Sequence, residues 1–407
     1  MRPVEDRFRK GDEFVIDGVS LDRILADHTT PFYVYSGSMI RDRYRELTSA
    51  FPGFDVLYSV KANPNPEICR ILARLGAGAE ISSMLELRTA LDAGYAADDI
   101  IFVGPAKTEA DINLALESGI YAVVCDSAED LRQVDRLAAG LDRIQRVLLR
   151  INTVERPASR EAMVGGPSKF GFDEEKVVEQ VRGLELRHVR IAGIQVYSAS
   201  QVLDPGFLSS HLEYVLGLGL HLSAELDLPL EAIDFGGGFG VAYEEDETEL
   251  DLAPVSETAA GMLETHAGQL RGCRLLLESG RFIVAESGVF LTTVARTKQS
   301  RGTSFVVCDA GMNAFARPVF MKVRHPIRLL NRIAEPAAGE FRVCGPICTP
   351  IDCIGQEVHL PDPRPGDSVG VFNAGAYGWS MSLKDFMSLP HPSELLADNG
   401  NLTVIRD

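Results

Sequence analysis

Short apolar runs recur along the first 280 residues, and a longer amphipathic stretch separates each run from the next. These runs predict strands at Val56–Val60, Gly78–Ile81, Asp99–Val103, Tyr121–Cys125, Arg146–Ile151, Ile191–Val196, Ile233–Phe235 and Arg274–Leu277. Leucines and alanines at helical spacing predict intervening helices, for example at Pro66–Gly76, Met84–Ala93, Thr108–Ser118, Ala128–Ala138 and Glu174–Leu184. Eight such strand–helix units predict an α/β fold, a closed (β/α)8 barrel at residues 32–281.

The pattern changes beyond about residue 282, where prolines and glycines punctuate short β-like runs. We predict strands there at Phe290–Ala295, Ser304–Asp309, Phe341–Cys344, Gln356–Leu360 and Ser368–Asn373. The first residues add a weak strand, Glu13–Ile16, and a short helix near Leu21–Ala26, before a strand at Pro31–Tyr35. Residues 1–31 and 282–407 are therefore predicted to form a second, mostly β domain, either a sandwich or barrel-like.

One segment within the barrel pattern lacks periodicity. Glu155–Lys169 contains Pro157, Gly165, Gly166 and Pro167. Such residues are typical of turns and exposed connections, so we expect a mobile surface loop there.

Composition and charge narrow the function classes. The chain has 407 residues, more than one core usually supports, and its net charge of −18 (40 Lys and Arg against 58 Asp and Glu) opposes binding to nucleic acid or anionic membrane. The charged first residues predict no secretory signal, and no apolar run is long enough to span a bilayer. The seven scattered cysteines, without CxxC or HExxH spacing, argue against a metal site and indicate a reduced, cytoplasmic setting.

Candidate chemistry lies where the predicted barrel strands end, which is where such barrels place their active sites. Lys61 follows the first strand. Either its amine reaches solvent along the alkyl stem, or it lies in a low-dielectric pocket where it could form a Schiff base with an aldehyde cofactor. The other strand-end residues are Glu80 with Ser82 and Ser83, Arg150, Tyr197 with Ser198 and Ser200, Gly236–Gly238, and Glu278 with Arg281.

Two of these groups leave alternatives open. The glycines of 236–240 do not fit the dinucleotide-binding motif GxGxxG, because position 241 is Val. They form either a simple tight turn or a turn that opens a helix and offers backbone N–H groups to a phosphate. Glu278 and Arg281 form either a surface ion pair or a carboxylate and a guanidinium in the same pocket as Lys61.

Motifs that contain these residues extend over nearly the whole chain. They are Tyr58-Ser59-Val60-Lys61-Ala62-Asn63, Lys169-Phe170-Gly171, the glycines of 236–240, Glu278-Ser279-Gly280-Arg281, Asp309-Ala310-Gly311-Met312-Asn313, Cys344-Gly345-Pro346-Ile347-Cys348 and Gly375-Ala376-Tyr377. Together they resemble the fold-type III pyridoxal-phosphate decarboxylases, the diaminopimelate/ornithine decarboxylase group, whose barrel is alanine-racemase-like. The resemblance implies pyridoxal 5'-phosphate (PLP) as cofactor, bound by Lys61 through a Schiff base, with Glu278 at the pyridine nitrogen.

The resemblance also implies the other contacts of the cofactor. Ser200, Gly237, Gly238, Arg281 and Tyr377 would hold the phosphate, and Arg150, Tyr197 and Gly280 complete our predicted cofactor site. Cys348 and Tyr377 would come from the β domain of a partner subunit, so that a homodimer shares its active sites. Decarboxylation leaves a carbanion at Cα. Glu278 would keep the ring nitrogen protonated, and Cys348 would be the acid that returns a proton to Cα.

Departures from the family pattern bear on the substrate. Tyr197 stands where the family has a histidine stacked over the ring. Thr349-Pro350 stands where diaminopimelate enzymes have Glu-Ser, which removes the carboxylate that would bind a second amine. Arg317 matches an arginine that binds the distal carboxylate in those enzymes, but their tyrosine four residues later is Met321 here. Arg317 therefore either binds such a group or only packs against the domain surface. Our predicted substrate-binding residues are Arg317, Cys348, Thr349, Asp352 and Tyr377.

Three further details, Cys348-Thr349-Pro350, the run 373–380 and His391-Pro392, are similar to a biosynthetic branch of the family. That branch decarboxylates glutamyl groups tethered to a carrier protein, or citryl-diaminopropionate in siderophore assembly. We therefore predict a PLP-dependent α-decarboxylase that acts on an acidic or conjugated amino acid in siderophore- or antibiotic-type secondary biosynthesis. Its substrate would be either a free small molecule or an amino acid tethered to a carrier protein. The alternatives are a diaminopimelate- or ornithine-type decarboxylase of free amino acids, an amino-acid racemase, and a non-catalytic PLP-binding protein.

Overall fold

The computed structural model describes residues 4–155, 162–244 and 246–407. The chain forms two compact units. The barrel unit comprises Tyr44–Val241 and Glu249–Gly280, and the β unit comprises the chain up to Arg43, Ala242–Thr248 and Arg281–Asp407. The domain bounds given above stay a prediction. Of the predicted loop Glu155–Lys169, residues 156–161 lie outside the described residues.

The strands, in chain order, are β1 Arg9–Lys10, β2 Glu13–Ile16, β3 Val19–Ser20, β4 Phe32–Ser36, β5 Asp55–Ser59, β6 Gly78–Ile81, β7 Ile100–Phe102, β8 Ala122–Cys125, β9 Gln145–Asn152, β10 Phe172–Asp173, β11 Val189–Gln195, β12 Ala232–Asp234, β13 Arg274–Ser279, β14 Gly288–Ser300, β15 Thr303–Cys308, β16 Ile327–Leu329, β17 Gly339–Cys344, β18 Cys353–Leu360, β19 Ser368–Val371, β20 Ser393–Asp398 and β21 Asn401–Arg406.

The α-helices, in chain order, are α1 Leu21–Asp27, α2 Gly37–Ala50, α3 Pro66–Arg74, α4 Met84–Ala93, α5 Glu109–Ser118, α6 Ala128–Gly140, α7 Val177–Arg182, α8 Pro205–Leu226, α9 Ala253–Thr265, α10 Arg281–Val284 and α11 Arg317–Met321. Short 3₁₀ turns lie at Val4–Phe8, Val60–Ala62, Ala97–Asp99, Leu330–Arg332 and Phe386–Ser388. Within the described residues, no helix combines the length and the apolar character needed to cross a membrane.

The barrel unit is a closed ring of parallel strands, as the apolar runs predict. Its strands follow the order β9, β11, β12, β13, β5, β6, β7 and β8, and β8 pairs with β9 to close the ring. An apolar layer fills the interior, built from Leu57, Leu148, Ala232, Leu276 and their neighbours. The eight predicted strands are therefore confirmed, because each apolar run is buried on both faces, as parallel barrel strands require.

Local signals set the bounds of the barrel helices. Helix α5, for example, begins after Thr108, whose side chain accepts from the Asp111 backbone N–H while Asp111 caps Thr108 in return. It ends at Gly119 in the left-handed conformation. One bound differs from the prediction: strand β5 stops at Ser59, so Val60 lies with Lys61 in the 3₁₀ turn that follows the strand.

The β unit holds a nine-stranded sheet whose main path runs β18, β17, β15, β14, β4, β20 and β21, with β19 and β16 joined beside β14. Strand β4, which lies inside the predicted barrel bounds, pairs here with β14 and β20. Alternate positions of these strands form one core, in which Phe32 and Val34 meet Val289 and Leu291. A three-stranded sheet of β1, β2 and β3 adds Phe14 to the same core.

Gly193 provides a test of barrel packing. It lies at a register shift between β11 and β9, and a Cβ atom there would meet the backbone oxygen of Ala232 at 1.7 Å. We expect Gly193→Ala to destabilise the fold by at least ~2 kcal/mol, since the backbone of β12 must move to make room. Gly217→Ala is the matched control: it lies in α8 with nothing within 4 Å of the added Cβ, and should gain ~0.5–1 kcal/mol. Urea unfolding measures both, and a Gly193→Ala chain as stable as the wild type would contradict this account.

Candidate active site

Carboxyl groups line the interior of the barrel just beyond its apolar layer. Each of three carboxyl residues lies two positions after an inward-facing residue of its strand. These are Glu80 after Gly78, Asp234 after Ala232, and Glu278 after Leu276. Because side chains alternate along a strand, these three carboxyl groups also point inward. All are buried, with exposures of 0%, 0% and 1%.

Lys61 reaches this layer from its 3₁₀ turn. Its Nζ donates to both oxygens of Glu80, at 2.7 and 2.5 Å, and lies 6.0 Å from the centre of the Tyr197 ring. The Lys61 side chain is 37% exposed. An ion pair with a fully buried carboxylate therefore fixes the amine of a partly exposed side chain, and the Schiff-base role of Lys61 stays a prediction.

Glu278 belongs to the same charge cluster. Its Oε1 accepts from Nε2 of Gln195 at 3.0 Å. Burial raises the pKa of the Glu278 carboxyl, and the nearby Glu80 raises it further, while Lys61 and the Gln195 hydrogen bond lower it. The surface ion pair considered for Glu278 and Arg281 is excluded, because both residues are buried.

The glycine turn after β12 is held by the segment that follows β11. The Val202 N–H donates to the Gly238 oxygen at 2.8 Å, and the Gly240 N–H donates back to Val202 at 2.9 Å. A Cβ at position 237 would meet the backbone oxygen of Glu278 at 2.2 Å, so the close approach requires glycine. Ser200 lies in the same segment and is half-buried.

The expectation that this turn opens a helix was wrong. In the described residues the next helix, α9, begins only at Ala253. Backbone N–H groups of the turn, rather than a helix N-terminus, are therefore what this part of the chain could offer an anion. Gly280 contributes by its size, since a Cβ there would lie 2.7 Å from the Ala62 Cβ, beside the Lys61 turn.

His211 of α8 joins two of these segments and was missed from the sequence. Its Nε2 lies 2.8 Å from the Phe235 oxygen, and its Nδ1 lies 3.1 Å from Oγ of Ser198. Burial lowers the pKa of His211, so the ring is neutral. A carbonyl can only accept, which assigns the proton to Nε2 and makes Ser198 the donor to Nδ1.

Arg150 belongs to a separate group in the barrel unit. Its guanidinium lies 4.5 Å from the centre of the Phe170 ring and 3.9 Å from the Asp126 carboxylate. Asp126 also accepts from the Gly171 N–H at 2.8 Å. Arg150 therefore supports the Lys169-Phe170-Gly171 motif, and these contacts do not include Lys61 or Glu278.

A second cluster of predicted site residues lies within the β unit. The Arg281 guanidinium lies 5.1 Å from the centre of the Tyr377 ring, and its Nη1 donates to the Tyr243 hydroxyl at 3.4 Å. The Arg317 guanidinium belongs to the same cluster and lies 4.6 Å from the centre of the Tyr243 ring. Arg317 is buried, with only 1% of its surface exposed, and its contact with substrate stays a prediction.

His325 orients Arg317. Nη1 of Arg317 lies 2.8 Å from Nε2 of His325, whose Nδ1 lies 2.9 Å from the Phe372 oxygen. Burial lowers the pKa of His325 well below its ordinary value, and the Arg317 charge lowers it further. The neutral ring therefore accepts from Arg317 and donates to Phe372, which fixes one edge of the guanidinium.

Cys348 is exposed on the loop between β17 and β18. Asp352 shapes this loop: its two carboxylate oxygens accept from the backbone N–H groups of Met312, at 2.7 Å, and Ile347, at 2.8 Å. Thr349 donates its N–H to the Ile347 oxygen within the same turn. Asp352 is thus engaged in supporting the loop, which differs from its predicted contact with substrate.

Sequence reasoning also missed Asp234, Gln195 and Tyr243, which lie in the two clusters. The inward alternation in β12, Ala232 then Asp234, was the available signal for one of them. Among the described residues, no three His, Cys, Asp or Glu side chains are grouped so that they could hold a metal ion.

Comparison with known proteins places this geometry in a family. The family model described as pyridoxal-dependent decarboxylase, pyridoxal binding domain, matches residues 37–285. The chain is 34% identical over 404 residues to the L-glutamyl-[BtrI acyl-carrier protein] decarboxylase of Niallia circulans, covering 96% of this chain and 94% of that protein. It is 31% identical over 403 residues to the diaminopimelate decarboxylase of Aquifex aeolicus, covering 98% and 94%.

A solved structure agrees over the whole length. The diaminopimelate decarboxylase of Helicobacter pylori, crystallised in complex with L-lysine, superposes with a TM-score of 0.87 at 31% identity, covering 95% of this chain and 96% of that one. The matched range contains the Lys61, Glu80 and Glu278 cluster and the glycine turn. The chain therefore belongs to the pyridoxal-dependent decarboxylase family.

Proposed function

We propose that the protein removes the α-carboxyl group of an amino acid whose far end is a carboxylate or an amide, including one tethered to a carrier protein, with PLP as cofactor. The observation that supports the reaction best is the buried inward cluster of Lys61, Glu80 and Glu278. The name of the Niallia circulans relative, a decarboxylase of a carrier-bound glutamyl group, supports the substrate class and a role in secondary biosynthesis.

The residues of the barrel unit fit PLP. Lys61 supplies an amine, Glu278 an inward carboxyl group, and Gly237 and Gly238 a bare backbone turn beside Ser200. Lys61 would bind the cofactor covalently, Glu278 would face its ring nitrogen, and the glycine turn with Ser200 would hold its phosphate. When bound, PLP supplies a sink for the electrons left at Cα as CO2 departs.

The residues themselves would control protons and orientation. Glu278 would hold a proton at the ring nitrogen, and Gln195 fixes its Oε1 for that purpose. Glu80 orients the Lys61 amine, and the Tyr197 ring lies against the same amine, where the resemblance places a histidine. Cys348, on an exposed loop, would donate a proton to Cα after CO2 departs.

We propose a homodimer with shared sites as the active form. Arg281 and Tyr377 lie in the β unit, as does Cys348. The resemblance assigns Cys348 and Tyr377 to the active site of a partner subunit. The proposal also places the protein in the cytoplasm, which the seven free cysteines support.

Arg317 carries the substrate part of the proposal. A buried guanidinium, fixed on one edge by the neutral His325, presents a planar and permanently charged fork suited to a carboxylate or an amide oxygen. Thr349-Pro350 beside Cys348 offers no carboxylate for a distal ammonium, whose burial without a partner would cost several kcal/mol, roughly the effective desolvation penalty of an ion. Lysine and ornithine should therefore be rejected. Diaminopimelate has a distal carboxylate as well as an amine, and it is the second candidate because relatives are named for it.

Lys61 is predicted to be the attachment residue. Borohydride reduction of the purified protein, followed by peptide mass spectrometry, should find the pyridoxyl group on the peptide that contains Lys61. Lys107, buried beside Asp126 in the same barrel, is the control lysine and should remain unlabelled. A label on Lys107 or any other lysine would refute the assignment.

Mixed dimers test the shared site. Lys61→Ala and Cys348→Ala homodimers should each be poorly active, and co-expression should restore about a quarter of wild-type activity, because half of the dimers then contain one intact site. Lys61→Ala mixed with Glu278→Gln is the control: both changes lie in the barrel unit, so no site is intact and no activity should return. Absence of recovery in the first mixture would indicate self-contained sites.

A substrate panel tests Arg317. CO2 release should be fastest from glutamate, glutamyl amides or citryl-diaminopropionate, and slow from lysine, ornithine and diaminopimelate. Arg317→Ala should lower kcat/KM for the preferred substrate by roughly 30- to 150-fold, since a charge-assisted hydrogen bond contributes about 2–3 kcal/mol. Arg324→Ala, an exposed arginine in the same region, is the matched control and should have little effect.

The outcomes of this panel separate the parts of the proposal. Preference for lysine or ornithine would refute the substrate class. An acidic substrate with unchanged kcat/KM in Arg317→Ala would remove only the role of Arg317. Melting temperature and bound cofactor, measured on each variant, distinguish loss of recognition from misfolding.

A further inference from the structure

We propose that Asp234 is a neutral carboxylic acid in the folded protein and that its proton, directed at Glu278, keeps Glu278 as the anion of the pair. Asp234 is then a positioning residue for the proposed ring-nitrogen partner. The assignment of the proton stands on the structure alone, whereas its use in catalysis rests on the proposed function of Glu278.

The place of Asp234 in the barrel brings it against Glu278. Asp234 ends β12, which lies between β11 and β13, and its register partners are Gln195 and Leu276. Glu278 stands two residues beyond Leu276 and points the same way. Asp234 is fully buried, and after burial itself the charge of Glu278 is the main cause that raises the pKa of Asp234.

The hydrogen bonds of Asp234 account for only one of its oxygens. Oδ1 accepts from the Gly236 N–H at 2.9 Å. Oδ2 is buried without a hydrogen bond of standard geometry, although Glu278 lies within interaction range. A buried ionised oxygen without a donor is far costlier than a protonated one, so Oδ2 is where a proton belongs.

The charges around the pair require a proton in the cluster. The groups facing Asp234 and Glu278 are each other, Glu80 and Lys61. Lys61 already donates to both oxygens of Glu80. Two further ionised carboxylates side by side would repel in a low dielectric, as in other carboxyl pairs that share one proton.

The surroundings decide which group keeps the proton. Glu278 receives a hydrogen bond from Gln195 and the field of Lys61, and both favour its anionic form. Asp234 has one backbone donor and faces two carboxyl groups; burial raises its pKa well above the ordinary value, and Glu278 raises it further. Asp234 therefore holds the proton, and Glu278 is stabilised as an anion by donors from both sides.

Folding then takes up a proton at neutral pH. In the unfolded chain the pKa of an aspartate is about 3.9, so Asp234 is ionised there and neutral in the folded state. A raised folded pKa gives stability that is fully present below the unfolded pKa and is lost as the pH rises towards the folded one. Asp234→Asn copies the neutral acid, with an oxygen for Gly236 and an N–H for Glu278, and it removes the titration.

The cofactor-free protein provides the first test. Between pH 6 and 8 the unfolding equilibrium constant of the wild type should rise about tenfold more per pH unit than that of Asp234→Asn, which is the effect of one proton. Asp92→Asn, an exposed position on α4, is the matched control and should behave as the wild type. Equal pH slopes for the wild type and Asp234→Asn would overturn the proposal. Should Asp234→Asn fail to fold, infrared spectroscopy of the wild type at pH 7 decides: a neutral carboxylic acid band supports the proposal, and its absence overturns it.

The loaded protein provides the second test. Glu278→Gln should lower kcat/KM on the order of 100-fold by removing the anion, and Asp234→Asn, which keeps an N–H for Glu278, should lower kcat/KM by a clearly smaller factor. Equal losses in both variants would mean that Asp234 acts as an anion, which overturns the proposal. Unchanged kcat/KM in Glu278→Gln would refute the proposed function of Glu278. The pH dependence of unfolding in the cofactor-free protein would still decide whether Asp234 is protonated.

Discussion

Carboxyl groups outnumber the cations that face them at the carboxyl end of the barrel, and the site depends on how that imbalance is resolved. Hydrogen-bonded pairing of the barrel strands fixes the inward positions of β6, β12 and β13. The carboxyl groups of Glu80, Asp234 and Glu278 therefore cannot move apart. Like charges at such short range are strongly unfavourable away from water. Each group therefore takes a different solution: Glu80 binds an ammonium, Glu278 accepts from an amide, and Asp234 meets a backbone N–H. Three chemically similar side chains acquire three different properties in this way.

The β unit contains a buried cation, Arg317, beside a neutral side chain. A neutral imidazole accepts from Arg317 and a backbone oxygen receives the other ring proton of His325. An uncharged acceptor fixes a guanidinium in direction but does not cancel its charge.

Elements that are buried on both faces could be predicted from the sequence, and residues whose role depends on distant partners could not. The barrel strands were recognised because apolar runs of that length have few other uses. Strand β20 was missed because it contains polar residues even at a buried position, Glu394, and β21 was missed because exposed polar residues interrupt its pattern. Asp234 was overlooked although it lies inside a predicted strand, because its role depends on Glu278, which is distant in sequence. The burial of Arg317 could not be anticipated, since it depends on His325 and Tyr243, which come from separate irregular segments.

The tight glycine turn after β12 also restricts how the protein can change over time. At position 237 even a methyl group would meet the backbone of Glu278, and at 238 the backbone oxygen of Ala199 lies 2.5 Å from an added Cβ. Substitutions at these two positions are strongly disfavoured, because any side chain there would displace the main chain rather than another side chain. Diversification of the pocket, natural or by directed evolution, must therefore come from neighbours with freedom to vary, such as Tyr197 and the loop around Thr349. The glycine turn itself would stay constant while the residues around it change.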